Sequence, residues 1–177
     1  MIITKEQIKL ISPYTSEQRI DYILPLLNET IALYEINTPL RVQHYLSQVL
    51  HESGGFRYLE EIASGQAYEN RRDLGNIIAG DGKRFKGRGL IQLTGRANYD
   101  KYGKYKKQDF IGNPNLVATK YAVDVSGWFW TIEKSLNIYA DKDDIITITK
   151  KINGGLNGLE DRKKYLELAK KYIKWKK

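Results

Sequence analysis

Apolar residues recur at spacings of three and four along most of this chain, and double-glycine sites interrupt them. Thr4-x-x-Gln7 has the form of a capping box, and Ile8, Leu10 and Ile11 behind it predict a short first helix that Pro13 stops. Ser16 is a candidate cap for a second helix carrying Ile20, Ile23, Leu24, Leu27, Ile31 and Tyr34. Pro25 inside that run is expected to kink it or divide it in two. Thr38-Pro39 reads as N-cap and N1 of a third helix, whose Leu40, Val42, Tyr45, Leu46, Val49 and Leu50 form a broad apolar face. Gly54-Gly55 should end it, which leaves Glu52 in its last turn or at its C-terminus.

Between Phe56 and Tyr99 the periodicity fades while glycine and arginine accumulate. A long stretch of this kind inside a compact domain is usually functional, so a smaller lobe over roughly 56–99, closing on a cleft, is expected. Helical pattern resumes after Asn113-Pro114, at 116–121, 125–136 (with Trp128-Phe129-Trp130) and 144–152. Asn153-Gly154-Gly155 breaks it, and a last helix is expected from about Leu159 to Trp175. The pattern predicts one mainly α domain over 1–177, two-lobed, with no repeat, linker or separate wall-binding domain.

Composition narrows the classes. Charged content of 28% beside 41% hydrophobic residues is globular, and the absence of cysteine excludes disulfides, thiolate metal sites and a cysteine nucleophile. No apolar run approaches the ~20 residues of a membrane span. The N-terminal Met1-Ile2-Ile3-Thr4-Lys5 shows no secretory signal, so synthesis in the cytoplasm and release by another agent are expected. The net charge of +8 favours anionic partners: nucleic acid, anionic lipid or an acidic cell-wall polymer.

The candidate chemistry lies at the first glycine pair. Hydrolysis of a glycosidic bond needs a carboxylic acid to protonate the leaving oxygen and a carboxylate to activate water or attack carbon. Glu52, on a rigid and mostly apolar helix, is the natural acid, since burial disfavours a charged carboxyl. Glu61 lies nine residues on, past the bend, where it could face Glu52 across a cleft. A separation of ~6.5–9.5 Å would admit a water and invert the anomeric centre, and ~5–5.5 Å would retain it. The plainer reading is two solvated glutamates, one on a helix end and one on a loop.

Seven stretches resemble glycoside hydrolase family 19 in its small lysozyme-like, endolysin branch of phages and prophages, and they run in the family's order over nearly the whole chain. They are Asn37-Thr38-Pro39-Leu40-Arg41, His51-Glu52-Ser53-Gly54-Gly55-Phe56, Arg71-Arg72-Asp73-Leu74-Gly75-Asn76, the segment from Gly87 to Tyr99, Asn113-Pro114-Asn115-Leu116-Val117-Ala118, Trp128-Phe129-Trp130 and Ile152-Asn153-Gly154-Gly155-Leu156-Asn157-Gly158. The resemblance implies a lysozyme-like fold, with Glu52 as general acid, Glu61 as general base and Thr94 as a hydroxyl that helps hold the attacking water. It places Gln92 and Asn98 at sugar-binding positions and Asn153 at the start of a loop that lines the cleft; Tyr99 and Arg162 are expected among the substrate contacts with them, and His51, beside Glu52, is read as a cleft or supporting residue. Arg162 matches a family arginine that supports the acidic pair. Glu60 remains a rival for the base; the nine-residue spacing of the small branch favours Glu61.

The chain departs from the plant chitinases of that family. Its gap between the two glutamates is shorter, it lacks cysteines and a visible leader, and Ala97 stands where those enzymes commonly carry a cleft tyrosine. These departures favour peptidoglycan over chitin. The expectation is an inverting, cofactor-free and metal-free endolysin-type hydrolase of the peptidoglycan glycan strand, monomeric, not binding nucleic acid, and reaching the wall through a holin or on lysis. A chitinase acting on chitin oligomers is the nearest rival, and a non-catalytic wall- or nucleic-acid-binding module is the rival from another class.

Other motifs carry less. The glycines at 80, 82, 87 and 89 lack the Gly-Lys-Ser/Thr of a phosphate loop, and Asp141-Lys142-Asp143-Asp144 lacks the glycine and terminal glutamate of a calcium loop. His44 and His51 lie seven apart, not the four of a zinc helix. Trp128 and Trp130 are expected in the core. The last helix carries Lys163, Lys164, Lys170, Lys171, Lys174, Lys176 and Lys177 beside an apolar face. It is expected to be a docked helix with a solvated face, with contact to anionic envelope lipid or lipopolysaccharide as the sharper alternative.

Overall fold

The computed structural model describes residues 2–174. The first helix, α1 (Lys5–Ile11), starts at a complete capping box: Thr4 Oγ1 accepts from the Gln7 amide, and Gln7 Oε1 accepts from the Thr4 amide. Helix α2 (Glu17–Leu33) is capped by Ser16 and runs unbroken through Pro25, contrary to the expected kink or division. Pro25 lies on the solvent side, where a carbonyl freed by its missing N–H can meet water. Ile20, Ile23, Leu27 and Ile31 anchor both halves on the opposite side.

Helix α3 (Pro39–Glu52), with Thr38 as N-cap, is the axis of the molecule, and every residue from Val42 to Leu50 is buried. A helix enclosed on all sides must satisfy its polar side chains internally. Gln43 Nε2 donates to Ile173 O (2.8 Å), Tyr45 and Ser126 share a hydroxyl bond (2.5 Å), and Ser47 donates to His44 O (2.8 Å). The sequence showed one broad apolar face; the structure encloses the polar face as well.

Residues 53–95 carry two short 3-10 turns and α4 (Asp81–Arg84). Within this segment, single bridges join Glu60 to Arg88 and Arg88 to Leu93. The Asp81 carboxylate, pulled below the usual range by the Arg96 guanidinium beside it, also accepts from the amides of Ile77 and Ile78. Helix α5 (Arg96–Lys106) follows and was not predicted, so the expected lobe boundary at Tyr99 cuts through a helix. Its buried stripe is only Tyr99, Tyr102 and Gly103 among basic and acidic neighbours, too little apolar signal to register. Tyr102 stacks on Phe110 (4.8 Å between centroids) and meets Trp128 at 5.0 Å.

The helix expected over 116–121 is a single 3-10 turn, Pro114–Val117, before the chain enters α6 (Asp124–Trp128). One π turn, Phe129–Glu133, continues α6, and Trp128 and Trp130 are core residues as expected. A short α7 (Asn137–Ala140) leads to α8 (Ile145–Asn153), which Asp144 caps. The last helix, α9 (Leu159–Tyr172), packs along α3 through Arg162, Leu166 and Ala169. Trp175, Lys176 and Lys177 lie outside the described residues. Among the described residues no helix is long and apolar enough to cross a membrane.

One buried contact makes the fold sensitive to acid. His44 is fully enclosed in α3; its Nε2 lies 2.7 Å from Asp143 Oδ1, and Lys170 Nζ of α9 lies 2.5 Å from Asp143 Oδ2. Burial pushes His44 below its ordinary value of 6.5, and the hydrogen bond to Asp143 opposes this only in part. The folded state therefore carries fewer protons on His44 than the unfolded chain, so stability should fall as pH drops below about 6.5. The melting temperature should decline more steeply between pH 7.5 and 5 in wild type than in His44→Gln. Parallel declines would place the acid sensitivity elsewhere.

Candidate active site

The end of α3 and the turn behind it set the position of both glutamates. Three consecutive residues, Gly54, Gly55 and Phe56, take left-handed backbone angles (φ 58°, 72° and 63°), a run that reverses the chain and that two glycines make accessible. Ser53 staples the reversal, donating to Val49 O (2.6 Å) and accepting from the Phe56 amide (2.9 Å). Thr15 holds it from α1's side by donating to Gly55 O (2.8 Å), and the Phe56 ring is fully buried beneath it. The catalytic candidates therefore stand on a braced turn.

Glu52 sits at the last position of α3 with its side chain 19% exposed, and the Arg162 guanidinium pairs with it through Nη2 and Oε1. Arg162 itself is buried, and its Nη1 donates to Gln48 Oε1, one helical turn before Glu52 on α3. A second contact runs parallel: His51 Nδ1 lies 2.7 Å from Asp161 Oδ2. Two adjacent residues of α3 thus grip two adjacent residues of α9. The seam is tight enough that a Cβ on Gly158 would fall 2.2 Å from His51 Cε1, so only glycine fits. Sequence reasoning missed Gln48 and Asp161 here. Gln48 stands four residues before Glu52, on the same helix face, which is a signal that could have found it.

Glu61 is held differently. Its Oε1 accepts from the Tyr68 hydroxyl (3.0 Å) and its Oε2 from the Gly87 amide (3.1 Å). Burial, and then the bond to Glu61, raise the Tyr68 phenol above its ordinary value and keep it a donor. A Cβ on Gly87 would lie 2.7 Å from Gln92 Oε1 and 3.2 Å from Glu61 Oε2, so these two side chains converge over Gly87. Glu60 faces elsewhere, because neighbours in extended chain point to opposite sides. It is held by Arg88 (3.1 Å) and Lys86 (3.3 Å). No sequence signal marked Tyr68 or Gly87 as supports of Glu61.

Gln92, Thr94 and Asn98 line one groove of about 250 Å³ with Leu74, Phe129 and Ile152. Gln92 adopts a left-handed backbone (φ 55°), with its amide nitrogen on Gly89 O (3.0 Å). Thr94 Oγ1 donates to Gln92 O (2.8 Å), and Asn98 Nδ2 donates to Thr94 O (2.7 Å). Asn153 closes α8 beside Ile152 and folds the following loop, donating to Asn157 O (2.8 Å) and accepting from the Gly155 amide (3.0 Å).

Two substrate-contact expectations need correction. Tyr99 is fully buried, its hydroxyl donates to Lys86 O (2.7 Å) beside Arg88, and burial pushes the phenol up to about 12. It is a core residue supporting the 86–88 segment. Arg162, 1% exposed, reaches Glu52 and Gln48 and does not face substrate. Among the described residues no group of three or more His, Asp or Glu is placed to hold a metal ion.

The family model for class I chitinases of glycoside hydrolase family 19 matches residues 46–153, from the middle of α3 to the end of α8. A family 19 domain-containing protein of Haemophilus influenzae is 30% identical over 154 residues, 67% of this chain and 72% of its own. An endochitinase of Arabidopsis thaliana is 36% identical over 113 residues, and the match spans only 38% of that protein. Chitinase C of Streptomyces griseus superposes with a TM-score of 0.78 over 97% of this chain and 76% of its own, at 21% identity. A bacterial family 19 chitinase superposes at 0.73 over 96% and 95%, at 20% identity. Fold and site together define a mainly helical, lysozyme-like glycosidase. The chain belongs to glycoside hydrolase family 19 and is chitinase-like.

Proposed function

We propose that this protein hydrolyses the glycan strand of bacterial peptidoglycan, with Glu52 as general acid, Glu61 as general base and inversion at the anomeric carbon. Glu52 gives its proton to the glycosidic oxygen as that bond breaks. Glu61 takes a proton from the water that attacks the anomeric carbon, and proton exchange with solvent then reprotonates Glu52 and deprotonates Glu61 before the next turnover. The observation that carries this reading is the contrast between the glutamates of the braced turn. Glu52 is fixed by one guanidinium from α9. Glu61 accepts two hydrogen bonds, which leaves lone pairs of its carboxylate for a water. Glu60 is set apart by its charged surroundings: Lys86 and Arg88 both meet its Oε1, whereas the two partners of Glu61 are a phenol and a backbone amide. Thr94, Gln92 and Asn98 line the neighbouring groove, where hydroxyl and amide groups suit a water and an N-acetyl amino sugar.

The net charge of +8 supports peptidoglycan over chitin, since stem peptides carry carboxylates while chitin is neutral. On this reading the protein acts in host lysis, crossing to the wall through a holin. Contact with anionic lipid or lipopolysaccharide through α9 would be electrostatic, because Leu166 and Ala169 are docked inside while Lys164 and Lys171, and Lys174 just beyond the helix, face solvent. The second reading, hydrolysis of chitin oligomers, is favoured by the endochitinase relatives. Initial rates on purified peptidoglycan and on soluble chitin oligosaccharides separate the two. Peptidoglycan should be cleaved faster. Cleavage of chitin alone would establish the second reading, and cleavage of neither, with wall binding retained, would make this a binding module.

A further inference from the structure

Behind the braced turn, on the side of α1 and α2, lie two adjoining grooves of about 380 and 250 Å³ that share Ser16 and Arg19. Arg57, on the turn that joins Glu52 to Glu61, lines the smaller one with Gly55, Thr15 and Tyr14. Tyr22 closes the far end of the larger, its hydroxyl on Thr119 O (3.1 Å). Arg19 Nη2 reaches Arg57 O (3.5 Å), and the Arg57 guanidinium lies 5.9 Å from the centre of the Tyr58 ring. The acid beside this groove in sequence, Glu17, is engaged by Lys5 and Lys9, and among the described residues neither arginine is paired with a carboxylate. Two guanidiniums therefore face a groove that supplies them no anion, while Tyr14 stands 90% exposed at its rim.

The floor of the groove is braced. The Thr15–Gly55 and Ser12–Thr15 hydrogen bonds (both 2.8 Å) hold it, and a Cβ on Gly55 would meet Ser12 Oγ at 2.9 Å. The side chains above it set the chemistry: an arginine fork recognises a carboxylate in a defined plane, and a tyrosine beside it offers a flat apolar surface and a hydroxyl. A ligand with carboxylates spaced along a short peptide satisfies both features; a neutral sugar chain would leave both arginines without a counter-charge.

We infer that the Arg19–Arg57 groove binds the carboxylate-bearing stem peptide of the peptidoglycan strand, the covalently attached neighbour of the sugars at Glu52 and Glu61. This rests on the peptidoglycan reading above, and it makes that site selective for strands that still carry their peptides. The same turn holds both functions: Arg57 lies five residues after Glu52 and four before Glu61.

The test uses the double variant Arg19→Gln/Arg57→Gln, with its thermal melt compared with wild type. KM is measured on glycan strands bearing stem peptides and on strands stripped of them by an amidase, and binding of the free stem peptide is measured by calorimetry. The double variant should raise KM on peptide-bearing strands by roughly three- to tenfold, as expected for two partly exposed charge pairs, with kcat unchanged. Its KM on stripped strands should match wild type, and free-peptide binding should weaken. Equal KM values for wild type and variant on peptide-bearing strands would overturn the inference, and so would an equal loss on both substrates. If wild type cleaves neither substrate, the hydrolase reading fails, and the calorimetry still decides the groove: peptide binding lost in the variant supports it, and binding that persists or is absent in wild type refutes it.

Discussion

Glu52→Gln should lower glycan hydrolysis by about 10²- to 10⁴-fold, the usual contribution of a positioned general acid. The substitution removes the transferable proton and keeps an oxygen for Arg162 Nη2. The braced turn behind it depends on Ser53, Gly54, Gly55 and Thr15, so the fold should survive. Activity on peptidoglycan should therefore vanish into background while the circular dichroism spectrum and the melting temperature stay close to wild type. Glu60→Gln makes the contrast, because that side chain is engaged by Arg88 and Lys86. It should keep most activity, and a Glu60 variant as inactive as Glu61→Gln would move the base to position 60.

The second large effect is expected from Arg162→Ala. Arg162 is nearly completely enclosed between α3 and α9, and it is the shared partner of Glu52 and Gln48. Removing it leaves the buried Gln48 oxygen without its donor, at a cost of about 1–3 kcal/mol, while Glu52 still reaches water. Loss of activity is expected with it, as the Glu52 carboxyl loses its fixed orientation. Urea denaturation of the variant measures the first, and residual activity under conditions where the variant is still folded measures the second. Arg162→Lys keeps the charge but not the two-pronged contact, and should recover stability better than activity. Full activity in folded Arg162→Ala would remove Arg162 from the support of Glu52.

The sequence made the helices legible wherever an apolar stripe and a cap coincided. Thr4, Ser16, Thr38 and Asp144 each cap the helix that follows them. It misled where a local signal competed with tertiary context. Pro25 read as a break, but its solvent-facing position lets α2 continue. Helix α5 was invisible because two tyrosines at i and i+3 were its whole apolar stripe. At the site, motif resemblance pointed to Glu52, Glu61, Gln92, Thr94 and Asn98, and the structure places the last three in one groove. It could not separate a tyrosine that lines a cleft from one that supports it, and Tyr99 proved to be the second kind. Tyr68 and Gly87, which hold Glu61, carry no local sequence mark, because a hydrogen bond made across a loop leaves no periodicity.

The central claim, that Glu52 and Glu61 cut a glycan strand, is tested most directly by mass spectrometry of soluble fragments released from purified peptidoglycan by wild type and by Glu52→Gln. Wild type should release fragments with new sugar reducing ends, their identity naming the sugar at the cut, and Glu52→Gln should release none. Fragments lacking new reducing ends, or equal release by the folded Glu52→Gln protein, would contradict it.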